Sequence, residues 1–146
     1  MKNNKVSMMD AILIEILRSN GVSNNEILQQ LERKDIQSWE TDYPNNNFHS
    51  LFSLFEEDKN KFESILQEGY TVKFVTRNGL KNLLKLKYQK IDERDFELLE
   101  NGIKHLEIDE QQLSSLKQLL SINWVIQEDT NKTYPKFVDI IPASTI

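Results

Sequence analysis

A run of positive side chains between residues 70 and 90 is the feature of this sequence best suited to binding a charged group. The segment holds six lysine or arginine residues and no aspartate or glutamate. It contributes a charge of +6 to a chain whose formal net charge is −5, which leaves −11 on the other residues. The six positions are Lys73, Arg77, Lys81, Lys85, Lys87 and Lys90.

Arg77, Lys81 and Lys85 recur at intervals of four residues, so an α-helix would bring them into one stripe. Three interpretations stay open: the stripe pairs with carboxylates of the same chain, contacts an acidic partner protein, or contacts phosphates of DNA or RNA. Charge runs are usually solvated faces, which favours the first. Between the two partners, we favour a protein, because the net negative charge opposes loose attachment to nucleic acid.

Two aromatic residues, Trp39 and Tyr43, are candidate anchors for a partner. They fall in a segment from about 37 to 47 that is expected to be a loop, because Pro44 and three asparagines favour turns. Trp and Tyr are enriched at interface hot spots. The favoured alternative is that both rings pack locally over the edge of the core.

The residue types that most often carry catalysis or hold metals are scarce. Histidine occurs only at His49 and His105, and neither has a second ligand at zinc-site spacing. There is no cysteine, and Asp129-Thr130-Asn131 starts like a calcium loop but lacks the later glycine and glutamate. We therefore expect a non-enzymatic protein without metal or cofactor. A catalytic arrangement without a recognisable motif is the less favoured alternative.

The composition favours one globular domain covering residues 1–146. The length is close to the commonest domain size, and a 38% share of hydrophobic residues suffices for a core. Asp10 and Glu15 interrupt the apolar run near the start, which argues against a signal peptide or a membrane span. We expect a cytoplasmic protein without membrane attachment. Abundant Lys, Asn and Ile beside two alanines indicate an AT-rich genome, of a bacterium or a phage.

Apolar residues at helical spacing predict about six helices. Ser23 and Glu26 form a capping box, Thr76 and Asp109 can cap later helices, and Asn20-Gly21 ends the first. The predicted helices cover residues 7–19, 23–33, 48–68 with a break at 57–61, 77–89, 92–101 and 109–120.

The first two helices could also form a DNA-binding helix-turn-helix. In that arrangement the second helix enters the major groove. Glu26 and Glu32 on that helix would oppose the phosphates, so an ordinary helical hairpin is favoured.

Three segments have the pattern of strands. Residues 70–75 alternate in polarity, and residues 122–126 and 134–141 predict a hairpin across a polar turn from Glu128 to Thr133. Because an isolated hairpin is marginal in water, segment 70–75 is expected to complete a three-stranded sheet. Pro135 predicts that the last strand either is an edge or starts after the proline, and an open edge would also permit a homo-oligomer.

These patterns predict a mainly helical α+β domain with a small C-terminal sheet. Functionally, they favour a regulatory or interaction protein that binds another macromolecule, preferably a protein, and they leave nucleic acid as the alternative. The residues expected to contact the partner are Lys73, Arg77, Lys81, Lys85, Lys87, Trp39 and Tyr43.

Overall fold

The computed structural model describes residues 4–128 and 136–145. Its helices and strands follow one another as β1 (Lys5–Val6), α1 (Met8–Ser19), α2 (Asn24–Glu32), α3 (Gln37–Asp42), α4 (His49–Glu57), α5 (Lys59–Glu68), β2 (Thr71–Val72), α6 (Arg77–Tyr88), β3 (Glu97–Leu99), β4 (Gly102–Ile108), α7 (Glu110–Leu119), β5 (Trp124–Glu128) and β6 (Lys136–Pro142). A short 3₁₀ turn, Ala143–Thr145, follows β6. The predicted α+β class is confirmed, with seven α-helices and a four-stranded antiparallel sheet among the described residues.

Side-chain caps set the starts of the helices that the sequence predicted best. Ser23 Oγ accepts a hydrogen bond from the Glu26 N–H at 3.1 Å, and the reciprocal bond completes the capping box of α2. The Thr76 hydroxyl accepts from the Gly79 N–H at the start of α6, and Asp109 forms a second capping box with Gln112 at the start of α7. Each cap satisfies a backbone donor that has no partner inside its helix, so these boundaries depend on local sequence alone.

The segment from residue 48 to residue 68 forms two helices, with the break where it was predicted. Asp58 separates α4 from α5 in an extended conformation, and its carboxylate accepts a hydrogen bond from the Lys61 N–H at 3.0 Å. Gly69 ends α5 with a φ of +95°, a conformation that glycine adopts without steric cost. Both predicted boundaries are therefore confirmed.

The predicted loop at 37–47 is partly wrong, because its first half is the helix α3. Trp39 lies in that helix and is 2% exposed, with its indole N–H donating to Gln30 Oε1 at 3.1 Å. Burial of this ring stabilises a helix of six residues, which is too short to be stable without tertiary contacts. The turn residues that follow, from Pro44 to Asn47, form the connection to α4.

The predicted helix at 92–101 is wrong; the segment forms a turn and the strand β3. Asp92 Oδ1 accepts from the Leu98 N–H at 3.1 Å, and Asp95 Oδ2 accepts from the Ile91 N–H at 2.8 Å. These side chains bond to the local backbone in a non-helical arrangement, which is the competition that makes aspartate a poor residue inside helices. Asp92 and Asp109 therefore begin different structures despite similar sequence contexts.

The C-terminal sheet has the strand order β3-β4-β6-β5 with every pair antiparallel. The predicted hairpin of the last two strands is confirmed. Strand β6 lies between β4 and β5 and is not an edge, but it begins at Lys136, which agrees with the alternative that it starts after Pro135. The prediction that segment 70–75 is the third strand of this sheet was wrong, because β2 pairs in parallel with β1 instead. Most of the predicted turn, together with Pro135, lies outside the described residues.

Strand β4 was not predicted, because a bulge interrupts the alternation of buried and exposed side chains along it. The ladder between β4 and β6 shifts register between Ile103 and Leu106, and His105 has a φ of +56°. The bulge lets Ile103 and Leu106 both be buried although they are three residues apart. A strict period of two does not recognise such a strand.

One cluster of buried residues joins the helices to the sheet. Three phenylalanines of α4, α5 and the residue before α4 lie within it: Phe48, Phe55 and Phe62 are buried, and the rings of Phe55 and Phe62 meet edge to face at 5.7 Å. The helix α6 contributes Leu80, Leu83 and Leu84 to the same core. The position of α6 is therefore fixed by packing.

Candidate functional site

The helix that carries the basic stripe is anchored on its opposite face. Thr76 caps its first turn, and Gly79, Leu80, Leu83, Leu84 and Tyr88 are buried. Gly79 lies where α1 approaches most closely, since a Cβ there would meet the sulfur of Met8 at 2.5 Å. Residues four apart on such a helix are rotated by only about 40°, so a stripe of side chains stays on the side away from the core.

Lys73, Lys81 and Lys85 are exposed. Among the described residues, no carboxylate lies within 4.0 Å of any of their ammonium nitrogens. Arg77 begins the stripe and is half-buried, with its Nε donating to the Leu99 carbonyl at 2.6 Å. We call these four residues, Lys73, Arg77, Lys81 and Lys85, the α6 basic surface.

Lys87 does not belong to the α6 basic surface, although the sequence places it beside Lys85. Its Nζ lies 3.4 Å from Glu15 Oε2 and 5.6 Å from the centre of the Tyr70 ring. The side chain is 22% exposed, and Glu15 belongs to α1, against which α6 packs. Lys87 therefore points to the interior and serves a partner within the chain.

Glu15 is the centre of a buried polar network on the inner side of α6. The residue is 2% exposed and also accepts hydrogen bonds from Arg18 Nη1 at 3.2 Å and from the Tyr70 hydroxyl at 2.6 Å. A buried carboxylate needs such partners because removal from water destabilises its charge. Burial and the negative charge of Glu15 together raise the pKa of Tyr70 well above its usual range, so its hydroxyl remains a donor.

Another tyrosine, Tyr88 at the end of α6, also keeps its proton over a wide pH range. Burial raises the pKa of Tyr88 to about 12, with the Ser115 hydrogen bond acting in the opposite direction. Its hydroxyl lies 2.8 Å from Ser115 Oγ of α7. The inner face of α6 thus joins α1 and α7 through polar as well as apolar contacts.

The two candidate aromatic anchors make their contacts elsewhere. The ring of Trp39 packs 5.5 Å from that of Phe48, and Tyr43 packs against the same phenylalanine at 6.3 Å. Trp39 is almost fully buried, while Tyr43 is half-buried. The ring contacts of both residues are thus with the edge of the core, and we do not include them in the α6 basic surface.

Sequence reasoning missed two exposed apolar side chains beside this surface. Phe74 is 62% exposed and Ile122 is 97% exposed. The alternation at 70–75 places Phe74 on the same side of a strand as Tyr70 and Val72, but β2 ends at Val72 and the chain bends before Phe74. Ile122 was expected in a strand, whereas β5 starts two residues later. No pattern in the sequence marks either side chain as exposed.

Two of the surface cavities in the described part of the chain are lined by polar and charged side chains. One has a volume of about 220 Å³ and is lined by Lys73 together with Lys5, Asp10 and Ser50; the Ser50 hydroxyl donates to Asp10 Oδ1 at 2.6 Å. The other has a volume of about 260 Å³ and lies over the sheet between His105 and Asp139. Both mix acidic with basic or neutral polar side chains, so neither has the charge pattern of a site for one kind of ion.

The two histidines are both exposed and lie in different elements. His49 Nε2 is 3.6 Å from Glu40 Oε1, and the backbone N–H of His105 donates to Asp139 Oδ1 at 2.9 Å. Within residues 4–128 and 136–145, no three His, Asp or Glu side chains come together as a metal site. None of the helices in those ranges is long and apolar enough to cross a membrane.

Comparison of the chain with protein-family models, with curated proteins and with solved structures finds no match.

Proposed function

We propose that this is a non-enzymatic regulatory or interaction protein that binds an acidic segment of another protein through the α6 basic surface. The observation that carries the proposal is the exposure of Lys73, Lys81 and Lys85 with no carboxylate of the described residues within 4.0 Å of their ammonium nitrogens. The helix beneath them is held by its buried face, so binding does not require the helix to form. A cytoplasmic location is part of this proposal.

Two other lysines, the exposed Lys117 and the partly buried Lys136, show the arrangement that forms where acidic groups are within reach. Lys117 Nζ lies 2.9 Å from Glu128 Oε2, and Lys136 also pairs with Glu128, at 3.2 Å. These hydrogen bonds from the two lysines hold the pKa of Glu128 below its usual range. The positive potential of the α6 basic surface instead extends into the solvent, which favours encounter with a negatively charged partner.

The proposal is tested by charge reversal against a simple acidic probe. We expect wild-type protein to bind a fluorescein-labelled peptide of alternating Glu and Ser at low salt, measured by fluorescence anisotropy. The variant Lys81→Glu/Lys85→Glu should bind about tenfold more weakly or worse, which corresponds to a loss of about 1.4 kcal/mol or more of binding free energy. The matched control is Arg33→Glu/Lys104→Glu, which makes the same change in net charge at exposed positions on α2's end and β4.

A near-wild-type affinity for the control together with a weak α6 variant supports the proposal. Equal losses in the two variants would show a response to net charge alone and would contradict it. A labelled 20-base-pair DNA duplex is run in parallel. Tighter binding of the duplex, with a steep loss as salt rises, would assign the surface to nucleic acid instead.

The helix-turn-helix alternative gains no support from the arrangement of α2. Ile27 and Leu31 are buried, while Glu26 and Glu32 are exposed. Glu32 also pairs with Lys59 of α5 at 3.5 Å. The acidic side chains of α2 would meet phosphates unfavourably, so the DNA arm of the experiment examines the α6 basic surface.

A further inference from the structure

We propose that Phe74 and Ile122 form the apolar half of the binding surface, so that the partner is an acidic segment that also carries bulky apolar side chains. We call these two residues the apolar pair. The inference rests on the proposed function, because it assigns the chemistry of the partner at the same surface. It adds the requirement that the partner carries apolar side chains, which the basic side chains alone do not impose.

The exposure of the apolar pair is the first observation. Ile122 has nearly all of its side chain in water, and Phe74 has more than half. Most large apolar side chains of the described chain are in the core instead. Removing apolar surface from water is favourable, so two such side chains in one place form a patch that gains from a partner.

The second observation is that hydrogen bonds join the two backbone segments that carry the pair. The Val75 N–H donates to Ser121 Oγ at 3.0 Å, and the Val75 carbonyl accepts from Asn123 Nδ2 at 3.1 Å and from Trp124 Nε1 at 2.7 Å. Ser121 also bonds to Asn123. Phe74 adjoins Val75, and Ile122 lies between Ser121 and Asn123, so the pair projects from two segments fastened at one residue.

Burial of this junction keeps the apolar pair in place. Val75 and Ser121 are both buried, and Trp124 is half-buried against the core. Side chains on a backbone that is already ordered lose less conformational freedom on binding than side chains on a loose loop. The fixed junction therefore makes the pair an apolar anchor rather than an incidental exposure.

The third observation is the continuity of the apolar pair with the α6 basic surface. Lys73 directly precedes Phe74, and Arg77 begins α6 three residues after it. Arg77 in turn bonds to the carbonyl of Leu99, a further partly exposed apolar residue. An apolar centre with charged residues at its side is the usual composition of a protein interface. Charge complementarity then selects acidic side chains beside the apolar ones.

The test compares two labelled peptides of equal length and equal negative charge. In the first, Leu and Phe alternate with Glu-rich stretches at helical spacing; in the second, every Leu and Phe is Ser. We expect wild-type protein to bind the first peptide about tenfold more tightly than the second in anisotropy measurements. The variant Phe74→Ser/Ile122→Ser should lose this preference and keep the weaker, salt-dependent binding of the second peptide.

The control variant is Ile91→Ser, which removes a partly exposed apolar side chain beyond the other end of α6. It should bind both peptides like the wild type. Circular dichroism should show the wild-type secondary structure for both variants. The thermal midpoint of Phe74→Ser/Ile122→Ser should be unchanged, because its two replaced side chains are largely in water. A retained fold keeps the comparison of affinities valid.

The outcomes separate the two proposals. If both peptides bind equally and Phe74→Ser/Ile122→Ser has no effect, the apolar pair has no role and the proposed function still stands. If neither peptide binds, the proposed function fails and this inference fails with it. If the wild type sediments as a dimer and the double variant as a monomer, the occupant is a second copy of the chain, which overturns the assignment.

Discussion

Lys85 and Lys87 are two residues apart on one helix, yet they have opposite environments. Lys85 is exposed and has no carboxylate of the described chain within 4.0 Å. Lys87 lies against α1, where its ammonium group pairs with the buried Glu15. The same residue type thus stabilises the interior on one side of α6 and leaves a positive field on the other.

A run of positive residues in a sequence is thus split between the two faces of a helix once the segment folds. Residues two apart on an α-helix point in nearly opposite directions, so one turn can contribute to both faces. On the inner face the energetics are those of a buried charge, which strongly needs its partners. On the outer face they are those of a solvated charge, whose removal changes stability little.

The largest expected effect comes from removing both cations of Glu15. In Arg18→Met/Lys87→Met the carboxylate stays buried with only the Tyr70 hydroxyl as a partner, and Arg18 also loses its hydrogen bond to the Leu66 carbonyl. We expect the free energy of unfolding to fall by about 3–5 kcal/mol. Urea denaturation followed by circular dichroism measures it. A loss below about 1 kcal/mol would mean that Glu15 does not depend on these cations.

A pH effect of intermediate size is expected from Tyr88 on the inner face of α6. Its pKa is raised to about 12 in the folded protein, against about 10 when unfolded. Its contribution is therefore complete below pH 10 and is lost as pH rises from 10 towards 12. Over that range the wild type should lose about 2–3 kcal/mol relative to Tyr88→Phe, at 1.36 kcal/mol per pH unit.

The measurement for Tyr88 is the difference in urea unfolding between wild type and Tyr88→Phe at several pH values. The difference at pH 7 gives the cost of losing the Ser115 hydrogen bond, which is subtracted. Lysines that titrate in the same range cancel in the comparison. Parallel curves for the two proteins up to pH 12 would contradict the raised pKa.

The smallest effect is expected on the outer face. In Lys81→Met/Lys85→Met the stability should change by no more than about 0.5 kcal/mol, because both ammonium groups are solvated and repel each other mildly. The same urea assay measures it. A loss comparable to that of Arg18→Met/Lys87→Met would abolish the distinction between the two faces of α6.

The parts of the fold that could be predicted are those that depend on neighbouring residues. Ser23, Thr76 and Asp109 each accept a backbone hydrogen bond three residues ahead, so their helices could be located from the sequence. Asp92 has the same local context as Asp109, but its carboxylate bonds to Leu98 after the chain has turned. The outcome there depends on the pairing of β3 with β4, which local propensity does not contain.

The candidate site likewise has some features that the local sequence predicts and others that it does not. The spacing of Arg77, Lys81 and Lys85 predicted a stripe, and α6 has that geometry. The departure of Lys87 depends on Glu15, which lies 72 positions earlier in the chain. Likewise, the exposure of Ile122 follows from bonds between Val75 and residues 121–124. Such long-range contacts arise only from the tertiary structure.

The position of β6 has a consequence for the order in which the molecule assembles during synthesis. Both β4 and β5 leave the ribosome before β6, yet each hydrogen-bonds to β6 and not to the other. Until residues 136–142 emerge, these two strands expose backbone groups on the sides that β6 will cover. Unpaired strand edges can pair with neighbouring polypeptides, and the arrival of a single segment covers one edge of each strand at once.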